Sequence, residues 1–105
     1  MYNPETIDTN TAVWNKIDAG VEMLILRFEP NEVRVLLKFS PGKGYARHSH
    51  PEGEEVFVIT GTYSDNGIDY PTGSYIYYPP KSDHAPVSYT GCTIMVISPV
   101  APINI

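Results

Sequence analysis

Residues 21–39 have the sequence VEMLILRFEPNEVRVLLKF, in which two aliphatic runs flank a short polar segment. The runs at 21–28 and 33–39 are rich in β-branched and aliphatic residues, as strands are, and the EPNE between them has the Pro and Asn of a turn. Both runs are apolar at nearly every position. We therefore expect both faces of these strands to be covered, by a second sheet or by a partner subunit.

The rest of the chain continues this pattern of short strands and turns. Residues 13–25 have the apolar spacing of an amphipathic helix, but Gly20 interrupts it, so we predict strands there as well. Strands at intervals of about 8–12 residues, with turn signals between them, indicate an all-β sandwich or barrel. The further predicted strands and turns are a strand at 45–50, a strand at 54–64, a hairpin turn at 65–67 and a strand at 92–98.

Length and composition describe a chain of one domain. We assign residues 11–105 to that domain and the polar residues 1–10 to an N-terminal arm. The net charge of −5 gives no basic surface for nucleic acid or an anionic membrane. Because no apolar run reaches about 18 residues and the first residues lack a signal-peptide pattern, we predict no membrane span and a cytoplasmic protein. Cys92 is the only cysteine, which excludes an intrachain disulfide and a thiolate zinc cluster.

The segment HSHPEGEE at 48–55 concentrates ionisable side chains within the predicted sheet. If residues 45–50 form a strand, side chains alternate between its faces, so His48 and His50 point the same way. A turn follows, and the Glu54 carboxylate at the start of the next strand can reach the same point. This spacing predicts three side chains directed at one place.

The third histidine of the chain, His84, begins a later strand after a Pro-rich break. Together the three imidazoles and one carboxylate suit one divalent transition metal per chain, namely Fe, Zn, Mn or Ni. Four such ligands saturate a tetrahedral zinc but leave two open positions on an octahedral ion. The alternative is structural, because a His-x-His pair on a surface strand can be solvated and Glu54 can be an edge charge.

The same residues resemble the two sequence motifs of the cupin superfamily. The first motif, G-x5-H-x-H-x3or4-E-x6-G, is matched by Gly42, His48, His50, Glu54 and Gly61. The second motif, G-x5-P-x-G-x2-H-x3-N, is matched by Gly73, Pro79 and His84. Two positions depart from it, since Lys81 replaces a Gly and Ser88 an Asn. The first departure predicts a different turn before His84.

Residues 11–98 also resemble the ChrR-like branch of the cupins, through H-x-H-x-x-G-E-E, D-Y-P-x-G-x-Y and H-x-P-x-S-x-x-G-C. The resemblance implies a double-stranded β-helix, the cupin jelly-roll barrel, with a metal site in the barrel mouth. Its implied ligands are His48, His50, Glu54 and His84. The zinc-binding anti-sigma module of ChrR itself is not matched, so sigma-factor binding is not carried over. Relatives of this branch include metal-dependent dioxygenases of small ketones and diketones.

Two functions stay open at this point. The first is a dioxygenase-like enzyme that acts on a small oxygenated substrate at a mononuclear metal with open positions. The second is a zinc-bound sensory or binding module without catalytic activity. A third, a metal-free cupin that binds a sugar or effector, fits the complete ligand set less well. In each case the partner is a small molecule, and the apolar strands predict a homodimer packed sheet to sheet.

A few other residues are candidates for supporting roles. Asp83, beside His84, either orients that imidazole or caps a turn. Cys92 is expected to be a small buried apolar residue, and we expect most tyrosines to serve packing. Three basic side chains in the early strands either face solvent or anchor an anionic substrate inside the barrel: Arg27, Arg34 and Lys38.

Overall fold

Antiparallel strands account for all the regular secondary structure in the computed structural model of the protein, which describes residues 1–104. The strands, in chain order, are β1 (Asn15–Asp18), β2 (Val21–Glu29), β3 (Glu32–Phe39), β4 (Lys43–Gly44), β5 (His48–His50), β6 (Glu54–Gly61), β7 (Tyr63–Asp65), β8 (Ile68–Tyr70), β9 (Tyr75–Tyr78), β10 (Ser82–His84), β11 (Val87–Ser88), β12 (Cys92–Ser98) and β13 (Ile103–Asn104). Residues 13–25 include β1 and the start of β2, so the prediction of strands there is confirmed. Within residues 1–104 no helix has the length and hydropathy to cross a membrane.

The strands form three sheets. The largest has six strands in the order β1-β2-β3-β12-β6-β9, and the others have the orders β4-β11-β7-β8 and β10-β5-β13. Strands distant in sequence pair in each of them, such as β3 with β12 and β5 with β10. The prediction of an all-β jelly-roll barrel is confirmed, because such long-range antiparallel pairing is what folds the chain back over itself.

The hydrophobic core lies on the inner face of the six-stranded sheet. Alternate residues of β12 are buried, as the period of two requires, and Val56 and Val58 of β6 are fully buried beside them. From the four-stranded sheet, Tyr63 closes the core, and its ring meets that of Phe39 edge to face at 6.3 Å between centroids. The two layers therefore cover each other's apolar faces.

The strand predicted over residues 54–64 is two strands in the structure. It breaks after Gly61, where the chain leaves the six-stranded sheet as β6 and enters the four-stranded sheet as β7. Gly61 has a φ of 76°, a left-handed conformation that favours glycine. The residue thus permits the corner at which the chain crosses from one layer to the other.

The outer face of the six-stranded sheet carries an apolar row across five strands. The register places Leu24, Leu36, Met95, Phe57 and Tyr75 side by side in that order. Leu24 and Leu36 are buried, at 7% and 5% exposure, whereas Phe57 and Tyr75 are 46% and 60% exposed. The expectation that both faces of β2 and β3 are covered therefore holds for this leucine pair. Toward β9 the side chains of the row become exposed to solvent.

The N-terminal segment contacts this sheet at two points. The Nζ atom of Lys38 lies 4.1 Å from the centre of the Trp14 ring, a cation–π distance. Further toward the N-terminus, Glu5 and Arg27 form an exposed ion pair with 3.7 Å between carboxylate and guanidinium. The division into an arm at 1–10 and a domain at 11–105 stays a prediction.

Candidate metal centre

Three of the four predicted ligands lie on two paired strands. His48 and His50 are both buried in β5, while Ser49 between them is turned to the other face. Strand β10 pairs antiparallel with β5 so that His84 lies directly opposite His48. The common face predicted from the H-x-H spacing is confirmed, and strand pairing adds the third imidazole to it. Strand β5 is shorter than predicted, because residues 45–47 precede it without pairing.

Glu54 brings a carboxylate to these imidazoles from the start of β6. Its Oε2 atom is 2.8 Å from Nε2 of His50, and its Oε1 atom is 3.6 Å from Nε2 of His84. The Nε2 atoms of His50 and His84 are 3.1 Å apart. One ligand atom from each of these residues and from His48 lies within 4.8 Å of all the others. All four side chains are buried, with 2–6% exposure.

The outer nitrogens of two rings are held by hydrogen bonds. Nδ1 of His48 donates to the carbonyl of Ala46 at 2.7 Å, so the Nε2 atom of the neutral ring carries a free lone pair. Nδ1 of His84 lies 3.0 Å from Oδ2 of Asp65. The third ring differs, because Nδ1 of His50 is buried without a hydrogen-bond partner. Burial lowers the pKa of His48, and the adjacent imidazoles of His84 and His50 lower it further, so this ring is neutral near pH 7.

Asp65 lies behind His84, and the sequence reasoning did not single it out. Burial by itself would raise its pKa, but hydrogen bonds from His84 and Tyr78 outweigh burial and lower it. The hydroxyl of Tyr78 donates to Oδ2 of Asp65 at 2.5 Å, and the hydroxyl of Tyr63 lies 3.1 Å from that of Tyr78. Burial raises the pKa of both tyrosines, which therefore stay protonated. The one sequence signal for this contact was the Asp of the Y-S-D segment, which was interpreted only as part of a turn.

The structure does not place Asp83 behind His84. The Asp83 side chain is half exposed, and its Oδ1 accepts a hydrogen bond from Nη1 of Arg47 at 2.9 Å. Neighbours in a strand point to opposite faces, so a buried His84 directs Asp83 toward solvent. The carboxylate that reaches His84 instead comes from β7, in another sheet.

The turn before His84 keeps a left-handed residue although its glycine is replaced. Lys81 has a φ of 71°, and its backbone N–H donates to the carbonyl of His50 at 2.8 Å. A lysine adopts this conformation at some energetic cost, where glycine would not. The departure from the motif therefore places a strained residue in this turn, and a turn different from that of other cupins stays a prediction.

The four residues line a cavity of about 310 Å³. Most of its wall is aliphatic or aromatic and comes from the inner faces of β2, β3 and β12, including Met23, Val35, Leu37 and Val96. Of the three basic residues considered as inward anchors, Arg27 donates to Glu32, Lys38 lies over Trp14, and Nη1 of Arg34 is buried without a hydrogen-bond partner. None of the three lines the cavity. The cavity thus combines a mostly apolar wall with a small cluster of polar groups, as small-ligand sites commonly do.

The donor set fits a divalent transition metal. Imidazole nitrogens suit Fe, Ni and Zn, and one carboxylate adds charge and a hard oxygen donor. Two of the rings are held with Nδ1 engaged, which is how ligating histidines are usually oriented. The cluster of His48, His50, Glu54 and His84 is thus suited to bind one divalent ion.

Comparisons with known proteins agree with this geometry. Residues 3–100 match the family described as the ChrR Cupin-like domain. A search of curated proteins found no match. Among solved structures, an RmlC-like cupin from Shewanella frigidimarina NCIMB 400 superimposes with a TM-score of 0.80 at 21% identity, with 93% of each chain covered.

Two other similar structures belong to proteins with different described roles. An acetylacetone dioxygenase from Acinetobacter johnsonii has a TM-score of 0.77 at 16% identity, with 93% of this chain and 74% of that one covered. The complex of Rhodobacter sphaeroides SigE with the anti-sigma ChrR gives a TM-score of 0.78 at 20% identity, with 87% of this chain and 51% of that one covered. At these identities the structural likeness shows the fold alone. The family match spans nearly the whole chain, and the protein belongs to the ChrR cupin-like family.

Proposed function

We propose that this protein is a metal-dependent cupin that acts on a small oxygenated substrate in a dioxygenase-like reaction. In this proposal His48, His50, Glu54 and His84 hold one divalent ion. The observation that carries it is the convergence of these four buried donors on the wall of a mostly apolar cavity. A purely structural metal site has no need of such a cavity beside it.

The chain's own residues would bind and orient the substrate. The apolar wall, with Met23, Val35 and Leu37, holds a hydrocarbon portion and excludes water. A small molecule with oxygen atoms at one end would then place them toward the histidines. A divalent ion bound there supplies Lewis-acid polarisation of an oxygenated group and the means to use dioxygen. The description of one similar structure as an acetylacetone dioxygenase makes small diketones the first compounds to test.

The second candidate is a zinc-bound sensory or binding module without catalytic activity. Its support is the family itself, together with the likeness to the anti-sigma ChrR in its complex with SigE. In this case the four ligands close a tetrahedral zinc, and the cavity holds an effector. Identity of the bound metal separates the two functions, since zinc favours the module and iron, manganese or nickel the enzyme.

The test of both functions begins with the metal content of untagged protein purified without chelator. We compare wild type with His84→Ala, and use Asp83→Ala as the matched control because its side chain is half exposed and pairs with Arg47. The proposal expects about one metal ion per chain in wild type and control and a large loss in His84→Ala. Oxygen uptake with acetylacetone then tests the reaction. If wild type holds no metal even after reconstitution, the assignment of these four residues as metal ligands is refuted.

We also propose that the protein is a homodimer, with a second copy on the apolar row of the six-stranded sheet. The exposed part of the row, at Phe57 and Tyr75, is the support for this assignment. Phe57→Lys should convert a dimer into a monomer in a solution-mass measurement, whereas Val13→Lys, at an exposed position outside the strands, should not. A monomeric wild type at micromolar concentration would refute it. The cytoplasmic location stays a prediction.

A further inference from the structure

His84 differs from the other two histidines of the site in what holds the far side of its ring. Its Nδ1 atom faces Oδ2 of Asp65 at 3.0 Å. By contrast, Nδ1 of His48 faces a neutral backbone carbonyl, and Nδ1 of His50 is buried without a partner. Of the three rings, only that of His84 therefore has a carboxylate at its Nδ1 atom.

The hydroxyl group of Tyr78 holds Asp65 in place. Its Oδ2 atom accepts the hydrogen of Tyr78 at 2.5 Å. Since that hydrogen is given to Asp65, the Tyr78 oxygen is free to accept from Tyr63, 3.1 Å away. The Tyr78 ring also lies against the His84 ring, with 4.4 Å between centroids. The carboxylate can only accept hydrogen bonds, so the proton between it and His84 resides on Nδ1.

The consequence appears on the opposite nitrogen of the His84 ring. With the proton on Nδ1, Nε2 carries a lone pair directed at the site, where Nε2 of His50 lies 3.1 Å away and Oε1 of Glu54 lies 3.6 Å away. A carboxylate behind an imidazole also makes its other nitrogen a stronger donor.

We propose that Asp65, held by Tyr78, is a positioning residue that keeps His84 in the Nδ1–H tautomer and makes it the strongest imidazole donor of the site. The tautomer is a property of the protein without metal, whereas the effect on metal binding rests on the proposed function. Loss of such a carboxylate lowers metal affinity by roughly 10- to 100-fold.

The test compares Asp65→Asn with Asp69→Asn. Asp69 is the matched control, because it lies in the partner strand of the same β7–β8 hairpin and its carboxylate accepts from Ser64 at 2.5 Å. Long-range ¹⁵N–¹H spectra of chelator-treated protein report the tautomer of His84, and titration with Co²⁺ gives a dissociation constant. Wild type and control should show Nδ1–H and equal cobalt affinity. Asp65→Asn should show mixed tautomers and roughly 10- to 100-fold weaker cobalt binding.

The outcomes separate this proposal from the proposed function. Folded Asp65→Asn with an unchanged tautomer, or with unchanged cobalt affinity, overturns the positioning role. If wild type binds no cobalt, the proposed function fails, and the tautomer in metal-free protein alone decides the role of Asp65. If Asp65→Asn does not fold, Tyr78→Phe replaces it, with Tyr75→Phe as control because that hydroxyl donates to Glu55 at the surface. If the His84 ring is held in one tautomer in Tyr78→Phe as fully as in wild type, the proposal is refuted.

Discussion

Gly61 is the position where one added methyl group tests the corner between the two layers. Built on the Gly61 backbone, a Cβ atom would lie 2.1 Å from the carbonyl oxygen of Gly91 and 2.8 Å from Cα of Cys92. Both neighbours are backbone atoms of the chain that enters β12, so they cannot rotate away as a side chain would. Gly61→Ala must therefore shift the pairing of β6 with β12, two interior strands of the six-stranded sheet.

Two terms add up to the expected loss of stability. The left-handed φ of 76° costs an alanine about 1–2 kcal/mol relative to glycine. Relieving the steric overlap by moving packed backbone costs about 1–3 kcal/mol more. The free energy of unfolding should thus fall by roughly 2–5 kcal/mol, a large part of the ~5–15 kcal/mol typical of a domain.

Gly67 offers a matched control for this substitution. It has the same φ of 76°, but a Cβ atom built there has no atom within 4 Å. Gly67→Ala should therefore lose only the backbone term of about 1–2 kcal/mol. The effect of alanine on the unfolded chain is common to both variants and cancels in the comparison.

Urea unfolding of chelator-treated protein, followed by circular dichroism, measures both variants against wild type. The midpoint for Gly61→Ala should lie clearly below that for Gly67→Ala, by the equivalent of about 1–3 kcal/mol. Equal losses in the two variants would refute the argument, since they would mean that the corner relaxes without cost.

Three further outcomes are expected. Lys81→Gly should raise the free energy of unfolding by about 0.5–1 kcal/mol in the same urea assay, because relief of the left-handed φ exceeds the entropy cost of glycine. A lower free energy of unfolding would show that the lysine is not strained there. Cys92 is buried, and burial raises the pKa of its thiol. An aromatic disulfide reagent should therefore label it only when urea unfolds the chain, and rapid labelling of native protein would contradict this. Zinc at 100 times its dissociation constant should stabilise wild type by about 2.7 kcal/mol in thermal unfolding and leave His84→Ala unchanged, whereas equal shifts in both would place the ion elsewhere.

The ligand set was accessible from the sequence because its geometry is largely local. His48 and His50 share a face through the period of two along any strand, and a short turn returns Glu54 to the same place. His84 required more, because it lies about thirty residues further along the chain. It was suggested as the third histidine and by its place in the second motif, but only the antiparallel register of β5 with β10 brings it opposite His48. Strands β2, β3 and β12 could also be predicted from their apolar runs, because short runs of β-branched and aliphatic residues form strands in most contexts.

The surroundings of the ligands depended on the tertiary structure. Asp83 is adjacent to His84 in sequence yet points to solvent, while Asp65 reaches the imidazole from a different sheet. Likewise the strand expected over 54–64 contains residues suited to one continuous strand, and the change of layer at Gly61 follows from closing the barrel.

The strand pattern, the family and the four candidate donors could be predicted from the sequence alone, because these follow from side-chain period and motif spacing. Three features emerged only from the folded chain: which carboxylate lies behind His84, where the chain crosses between layers and how apolar the cavity beside the candidate donors is. Each of these depends on contacts between strands far apart in the chain, and such contacts are set by the pairing of whole sheets, which no local pattern specifies.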